Sequence, residues 1–182
     1  MAPFIIIAII VILVILVIAT YNSLVGLRNQ VRNSWAQIDV ELQRRFDLIP
    51  NLVETVKGYT NHEEAVLTKV TELRTSWSDA TTVGEKAALE NELSGALKSI
   101  MAVAENYPDL KSNTNFLSLQ EELSNTENKL SASRQSYNNV TTTYNTKLEV
   151  FPSNVIANMF GFKQEELFNV VDEAKQNVKV SF

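Results

Sequence analysis

Hydrophobic positions follow two regimes along this chain, and the change between them predicts its architecture. From Phe4 to Ala19 every residue is Ile, Val, Leu, Ala or Phe, and no charged side chain occurs before Arg28. About 20 apolar residues in helical geometry cross the hydrocarbon layer of a bilayer. Ala2 to Leu27 supply that length, with Phe4, Ile10, Leu16 and Ala19 inside the span and Tyr21 placed as an interfacial aromatic. A cleaved signal peptide would need a basic start and small residues ahead of a cleavage site. Residues 1–3 carry no Lys or Arg and no A-x-A pattern follows, so residues 1–27 read as a retained anchor and juxtamembrane segment.

Beyond Arg28 the apolar residues narrow to a stripe. Val31, Trp35, Ile38, Leu42, Arg45, Ile49, Leu52, Val56, Tyr59, Glu63, Val66, Val70, Leu73 and Trp77 follow alternating steps of four and three, with charge only at Arg45 and Glu63. Such a seam is the signature of a helix packed along its length against others, as in a coiled coil or bundle. Its phase persists across Pro50 and Gly58. It also persists across Asn61-His62-Glu63-Glu64, which alone would read as a new N-cap with its capping box. The pattern therefore predicts one helix from about Tyr21 to Trp77, its body part covering 28–77, with a kink near Pro50.

Two further long helices are expected. Thr82 and Glu85 are spaced as a capping box ahead of Leu89, Leu93, Leu97, Ile100, Val103 and Tyr107, giving a helix over 83–107 that Pro108 ends. Phe116, Leu123, Leu130, Tyr137, Tyr144 and Phe151 recur every seven residues and give a helix over 114–150, closed by Pro152. Its intermediate positions are Leu119, Thr126, Ser133, Val140 and Lys147, and the Thr/Asn-rich patch from Asn138 to Thr146 reads as a solvated face. Residues 153–182 are less regular. Leu167, Val170, Val171 and Ala174 suggest a short last helix, and Val178 to Phe182 alternate like an extended tail. The fold class is all-α, with a single transmembrane helix continuing into one helical bundle over 28–182.

Composition narrows the function. The formal charge is −5, the pI is about 5.0 and no basic run occurs, which excludes nucleic acid as the main partner because phosphate binding needs clustered cations. Residues 20–78 hold seven Lys/Arg against seven Asp/Glu, whereas 79–182 hold nine against fourteen, so the acidic excess is distal. The absence of Cys removes disulfides, thiolate metal sites, cysteine catalysis and an acylated cysteine.

No residue set points to catalysis, a metal or a cofactor. The one histidine, His62, lacks a ligand four residues on, where Val66 stands. The pairs Glu63/Glu64, Glu121/Glu122 and Glu165/Glu166 diverge by about 100° on a helix instead of facing across a cleft. Neither a nucleophile elbow nor a phosphate-binding glycine loop is present. Arg45 and Glu63 at seam positions read either as snorkelling side chains or as keys that fix register between helices or subunits. Trp35 and Trp77 share the seam and read as core aromatics.

The runs Tyr21-Asn22-Ser23-Leu24-Val25, Leu27-Arg28-Asn29, Trp35-Ala36-Gln37-Ile38-Asp39-Val40 and Arg44-Arg45-Phe46-Asp47-Leu48-Ile49-Pro50-Asn51-Leu52-Val53-Glu54-Thr55-Val56-Lys57-Gly58-Tyr59 resemble the signature of the bacterial LemA family. The likeness extends to Tyr144-Asn145, Phe151-Pro152-Ser153, Phe160-Gly161-Phe162 and the terminal Val178 to Phe182. It implies an N-terminally anchored helical bundle of the bacterial cytoplasmic membrane, with no enzymatic activity established for the family. Ser181 stands where the family more usually has an acidic residue, which counts against a charge-based role for the tail.

These readings together predict a non-catalytic scaffold or partner-binding protein of the cell envelope. It would contact membrane lipid, self-associate through a seam too long for its neighbours to cover, and bind other envelope membrane proteins. Arg28 and Arg32 just after the span favour a cytoplasmic body. A membrane-shaping protein forming lateral arrays is one alternative. An enzyme or regulator of envelope proteolysis using His62 and nearby carboxylates is the other.

Overall fold

The computed structural model describes residues 2–59 and 64–168. Among these the ordered elements are helices alone: α1 Ala2–Asp47, α2 Ile49–Lys57, α3 Glu64–Asp79, α4 Val83–Ala104, α5 Pro108–Lys111, α6 Thr114–Glu149 and α7 Ser153–Met159. The described residues group into two units, 2–40 with 130–167, and 41–59 and 64–129 with Phe168. The physical reason is length. Helices α1 and α6 have 46 and 36 residues, and each contributes one stretch to either unit.

In the first unit α1 and α6 meet along stripes of period seven. Leu24, Val31 and Ile38 are buried from one side, and Leu130, Tyr137 and Tyr144 from the other. The rings of Trp35 and Tyr137 meet at 5.6 Å. The second row of the α6 stripe here is Arg134, Thr141 and Leu148, which are buried, whereas Ser133, Val140 and Lys147 are only half-buried. The sequence reading placed that row one residue too early, because steps of three and four from a heptad anchor are equivalent in pattern and only the neighbouring helix selects between them.

In the second unit the expected rod does not exist. Helix α1 ends at Asp47, and α2 begins after the single turn residue Leu48, two residues before Pro50, whose missing N–H cannot bond to Phe46. The larger departure lies beyond Lys57. Phe46 and Trp77 would be about 46 Å apart on a continuous helix, yet their rings stack at 4.7 Å with 20° between planes. Trp77 Nε1 also donates to Gln43 Oε1 at 3.3 Å. The chain has reversed between α2 and α3, so the helix predicted over 28–77 is three helices. Continuity of the seam marks which face is buried, and two helices lining one core can share a phase.

Helices α3 and α4 then form a tight antiparallel hairpin across Ala80–Thr82, with Lys69 Nζ 2.6 Å from Glu92 Oε2. Its turn is a true capping box. Glu85 N donates to Thr82 Oγ1 at 3.1 Å, while the Glu85 carboxylate accepts from the N–H groups of Thr82 and Thr81, both at 3.0 Å. Those backbone donors hold the Glu85 carboxyl below its ordinary range. Helix α4 stops at Ala104, three residues short of the expected Tyr107, because Asn106 and Tyr107 turn back to Val103 and Ala104 before Pro108 opens α5. Leu167 stands outside any helix. The remainder of the expected last helix, the Val178 to Phe182 tail, His62 and Glu63 lie outside the described residues.

Two outcomes follow. Spin labels at Asp47→Cys and Asp79→Cys should report a separation within about 20 Å, whereas a single helix would set them near 50 Å, so a long distance in pulsed electron resonance would restore the rod. Thr82→Ala should lower stability by about 1 kcal/mol in urea unfolding. Because the folded Glu85 pKa is depressed, its contribution is complete above the unfolded pKa and fades as pH falls through the folded one. Glu85→Ala, which removes that carboxylate, should therefore lose stability less steeply under acid than the parent.

Candidate functional site

Two features stand out. The first is the N-terminal half of α1, whose side chains from Phe4 to Leu16 are exposed although every one is apolar. Of the span residues named from sequence, Phe4, Ile10, Leu16 and Ala19 all lie on the surface of the chain. Helix α1 is long and apolar enough to cross a membrane.

Where this surface ends, an aromatic collar begins. The Tyr21 ring lies 4.8 Å from that of Phe160 and 5.7 Å from that of Phe162, and the Arg28 guanidinium sits 5.0 Å over the Phe162 ring. The collar is held by the way α7 stops. Gly161 has φ 70°, Phe162 N donates to Ala157 O at 2.9 Å and Gly161 N to Asn158 O at 3.3 Å, a Schellman closure that only glycine enters without strain.

The segment after it is strapped to α6 by side chains. The Asn145 amide donates to Glu165 O at 2.8 Å and accepts from Glu165 N at 3.0 Å, pairing with that backbone as a neighbouring strand would. Tyr137 Oη donates to Glu166 O at 2.6 Å. Burial pushes the Tyr137 and Tyr144 phenols up, which keeps the Tyr137 hydroxyl a protonated donor through the physiological range. At the other side of α7, Ser153 Oγ lies 2.6 Å from Lys147 O and 2.9 Å from Val150 O, its one proton shared between carbonyls at and just beyond the end of α6. Asn145 falls in the Thr/Asn-rich patch read from sequence as solvated, and its role there was missed. The only signal is an amide next to the seam aromatic Tyr144.

The second feature is a charged core in the second unit. Arg45 is buried, and its Nη1 lies 2.5 Å from Glu90 Oε1 and 2.5 Å from Glu127 Oε2. The Glu90 side chain is 1% exposed and also accepts from Ser94 Oγ at 3.0 Å, while that of Glu127 is 40% exposed and reaches solvent. One guanidinium thus joins residues of α1, α4 and α6. Arg44 points outward to Glu122 at 2.7 Å. Arg45, which the sequence offers as either a snorkelling side chain or a register key, meets Glu90 and Glu127, neither of which stands out in the sequence.

Of the other seam residues, Val31, Ile38, Leu42, Ile49, Leu52, Val56, Val70, Leu73 and Trp77 are buried within the chain, and Trp35 and Val66 are half-buried. Tyr59 is exposed, and its hydroxyl accepts from Asn113 Nδ2 at 2.9 Å. Among the described residues no cluster of three or more His, Asp or Glu is placed to hold a metal.

Removing Arg45 leaves Glu90 charged in a dry site, so Arg45→Leu should cost about 3–5 kcal/mol in urea unfolding. Adding Glu90→Leu should recover a large part of that loss. If the double variant were as unstable as the single one, the ion pair would not be the source of the cost.

Comparison with known proteins agrees with the signature and extends it. The LemA family profile matches residues 34–182. Protein LemA of Metamycoplasma hominis is 27% identical over 164 residues, covering 88% of this chain and 74% of that protein. Magnetosome protein MamQ 2 of Paramagnetospirillum magneticum is 26% identical over 174 residues, or 81% of this chain. Magnetosome protein MamQ of Magnetospirillum gryphiswaldense is 23% identical over 175 residues, or 82%. The chain spans 64% of the length of each of these two magnetosome proteins. A match over residues 34–182, from Ser34 in α1 to the last residue, settles the family: the chain belongs to the LemA family.

Proposed function

We propose that this protein is a membrane-anchored, non-catalytic scaffold of the bacterial cytoplasmic membrane, held by α1 and offering its helical body to partner proteins. The observation that carries the reading is the exposed, uncharged surface of α1 from Phe4 to Leu16, which continues in the same helix into the buried stripe of Leu24, Val31 and Ile38. Water would not tolerate so large an apolar sleeve, and lipid requires it. Arg28 and Arg32 follow the span and favour a cytoplasmic body.

Much of the seam is covered by the chain's own helices, while Tyr59 is exposed and Trp35 and Val66 are half-buried. Assembly with further copies or with other envelope proteins would use the outer faces, where Val40 and Leu117 are isolated exposed apolar residues among polar ones.

Full-length protein should stay with membranes after alkaline carbonate washing, and a chain lacking residues 1–20 should not. Val40→Cys, in a chain otherwise free of cysteine, should react with an impermeant maleimide only after cell lysis. Reaction in intact cells would move the body to the other side and leave the anchor in place. Cross-linking in native membranes should trap larger species. Recovery of the monomer alone would overturn the scaffold reading.

A further inference from the structure

Helix α7 has an apolar face where a solvated one is expected. Ser153, Ile156 and Ala157 form its buried side. On the opposite side Val155 is 54% and Met159 63% exposed, four residues apart and hence on one face, with Phe151 82% and Phe160 51% exposed in the turns at either end. No charged residue occurs from Val150 to Phe162, and Glu149 and Lys163 bound this stretch. Monomeric soluble proteins rarely gather large apolar side chains this way on a surface meant for water.

The position of the patch says what covers it. Tyr21 lies 17 residues beyond Phe4, about 26 Å along the helix, so it sits at the edge of a hydrocarbon layer roughly 30 Å thick. The 4.8 Å contact between the Tyr21 and Phe160 rings puts the end of α7 at that same depth. Through these rings the apolar surface of α7 continues that of α1. Aromatic and thioether side chains beside a span, followed by the cations Arg28 and Lys163, match the order of groups across a membrane interface. A protein partner fits less well, since four or five side chains fall far short of the roughly 20–30 residues a side of a stable interface.

We propose that α7 and its flanking turns form a second membrane contact, in which Phe151, Val155, Met159 and Phe160 insert into the bilayer interface beside the exit of α1. This rests on the reading of α1 as an anchor. The contact would fix the first unit against the membrane surface instead of leaving it on a swivelling stalk.

The test uses the full chain with single cysteines at Ile10→Cys, Gln135→Cys, Val155→Cys or Met159→Cys, each carrying an environment-sensitive fluorophore. Each is reconstituted into phosphatidylcholine vesicles containing phosphatidylglycerol, with nitroxide lipids labelled near the headgroup or near the bilayer centre. Unchanged helical circular dichroism checks the fold of each labelled chain. The label at Ile10 should be quenched best by the deep nitroxide. Labels at Val155 and Met159 should be quenched best by the shallow one, several-fold more than the label at Gln135. If Ile10 is quenched while Val155 and Met159 match Gln135, the anchor stands and the second contact is overturned. Blue-shifted emission at Val155 and Met159 without nitroxide quenching would assign the patch to another protein surface and also overturn it. An unquenched label at Ile10 would remove the anchor, and the proposal with it.

Discussion

Everything in this molecule is arranged around one change of surface along a single helix. Up to Ile18 helix α1 is apolar on all sides, and from Leu24 onward it is apolar along one stripe. A helix satisfies its own backbone hydrogen bonds in any solvent, so the same secondary structure serves both regimes. The side chains alone decide where each half can reside. The first half needs a surrounding as apolar as itself, and the second needs a neighbour with a matching stripe, which α6 supplies with Leu130, Tyr137 and Tyr144. Tyr21 stands at the change, and the aromatic collar of Phe160 and Phe162 gathers on it.

The second unit depends on a costlier device. A guanidinium and a carboxylate removed from water lose hydration that their mutual attraction only partly returns, so Arg45 and Glu90 are poor choices for stability alone. Apolar stripes tolerate slippage by a turn, whereas a buried guanidinium that must meet Glu90 on α4 and Glu127 on α6 is satisfied in one alignment. The partial exposure of Glu127 lowers the cost, since the extra negative charge sits where water can reach it.

The sequence discloses faces more readily than it discloses turns. The seam residues from Val31 to Trp77 lie largely on buried surface, and the capping box at Thr82 and the helix from Thr114 to Glu149 stand where local chemistry placed them. The reversal beyond Lys57 was illegible in periodicity, because two helices lining the same core need not differ in phase. Gly58, the C-cap of α2, is the described residue that marks the reversal. Glu90 and Asn145 escaped notice for a related reason. A buried polar side chain resembles an exposed one in sequence, and only the long-range partners Arg45 and Glu165 distinguish them.

That burial also changes what the seam can mean for function. A stripe left open along one helix would demand other subunits, but here the chain folds back and fills its own stripe with α3, α4 and α6. Apolar surface that the chain does not cover is concentrated on the N-terminal half of α1 and around α7, both in the first unit and joined through the Tyr21–Phe160 ring contact. Under the proposed anchoring, the hydrophobic drive that remains after folding is directed at a membrane.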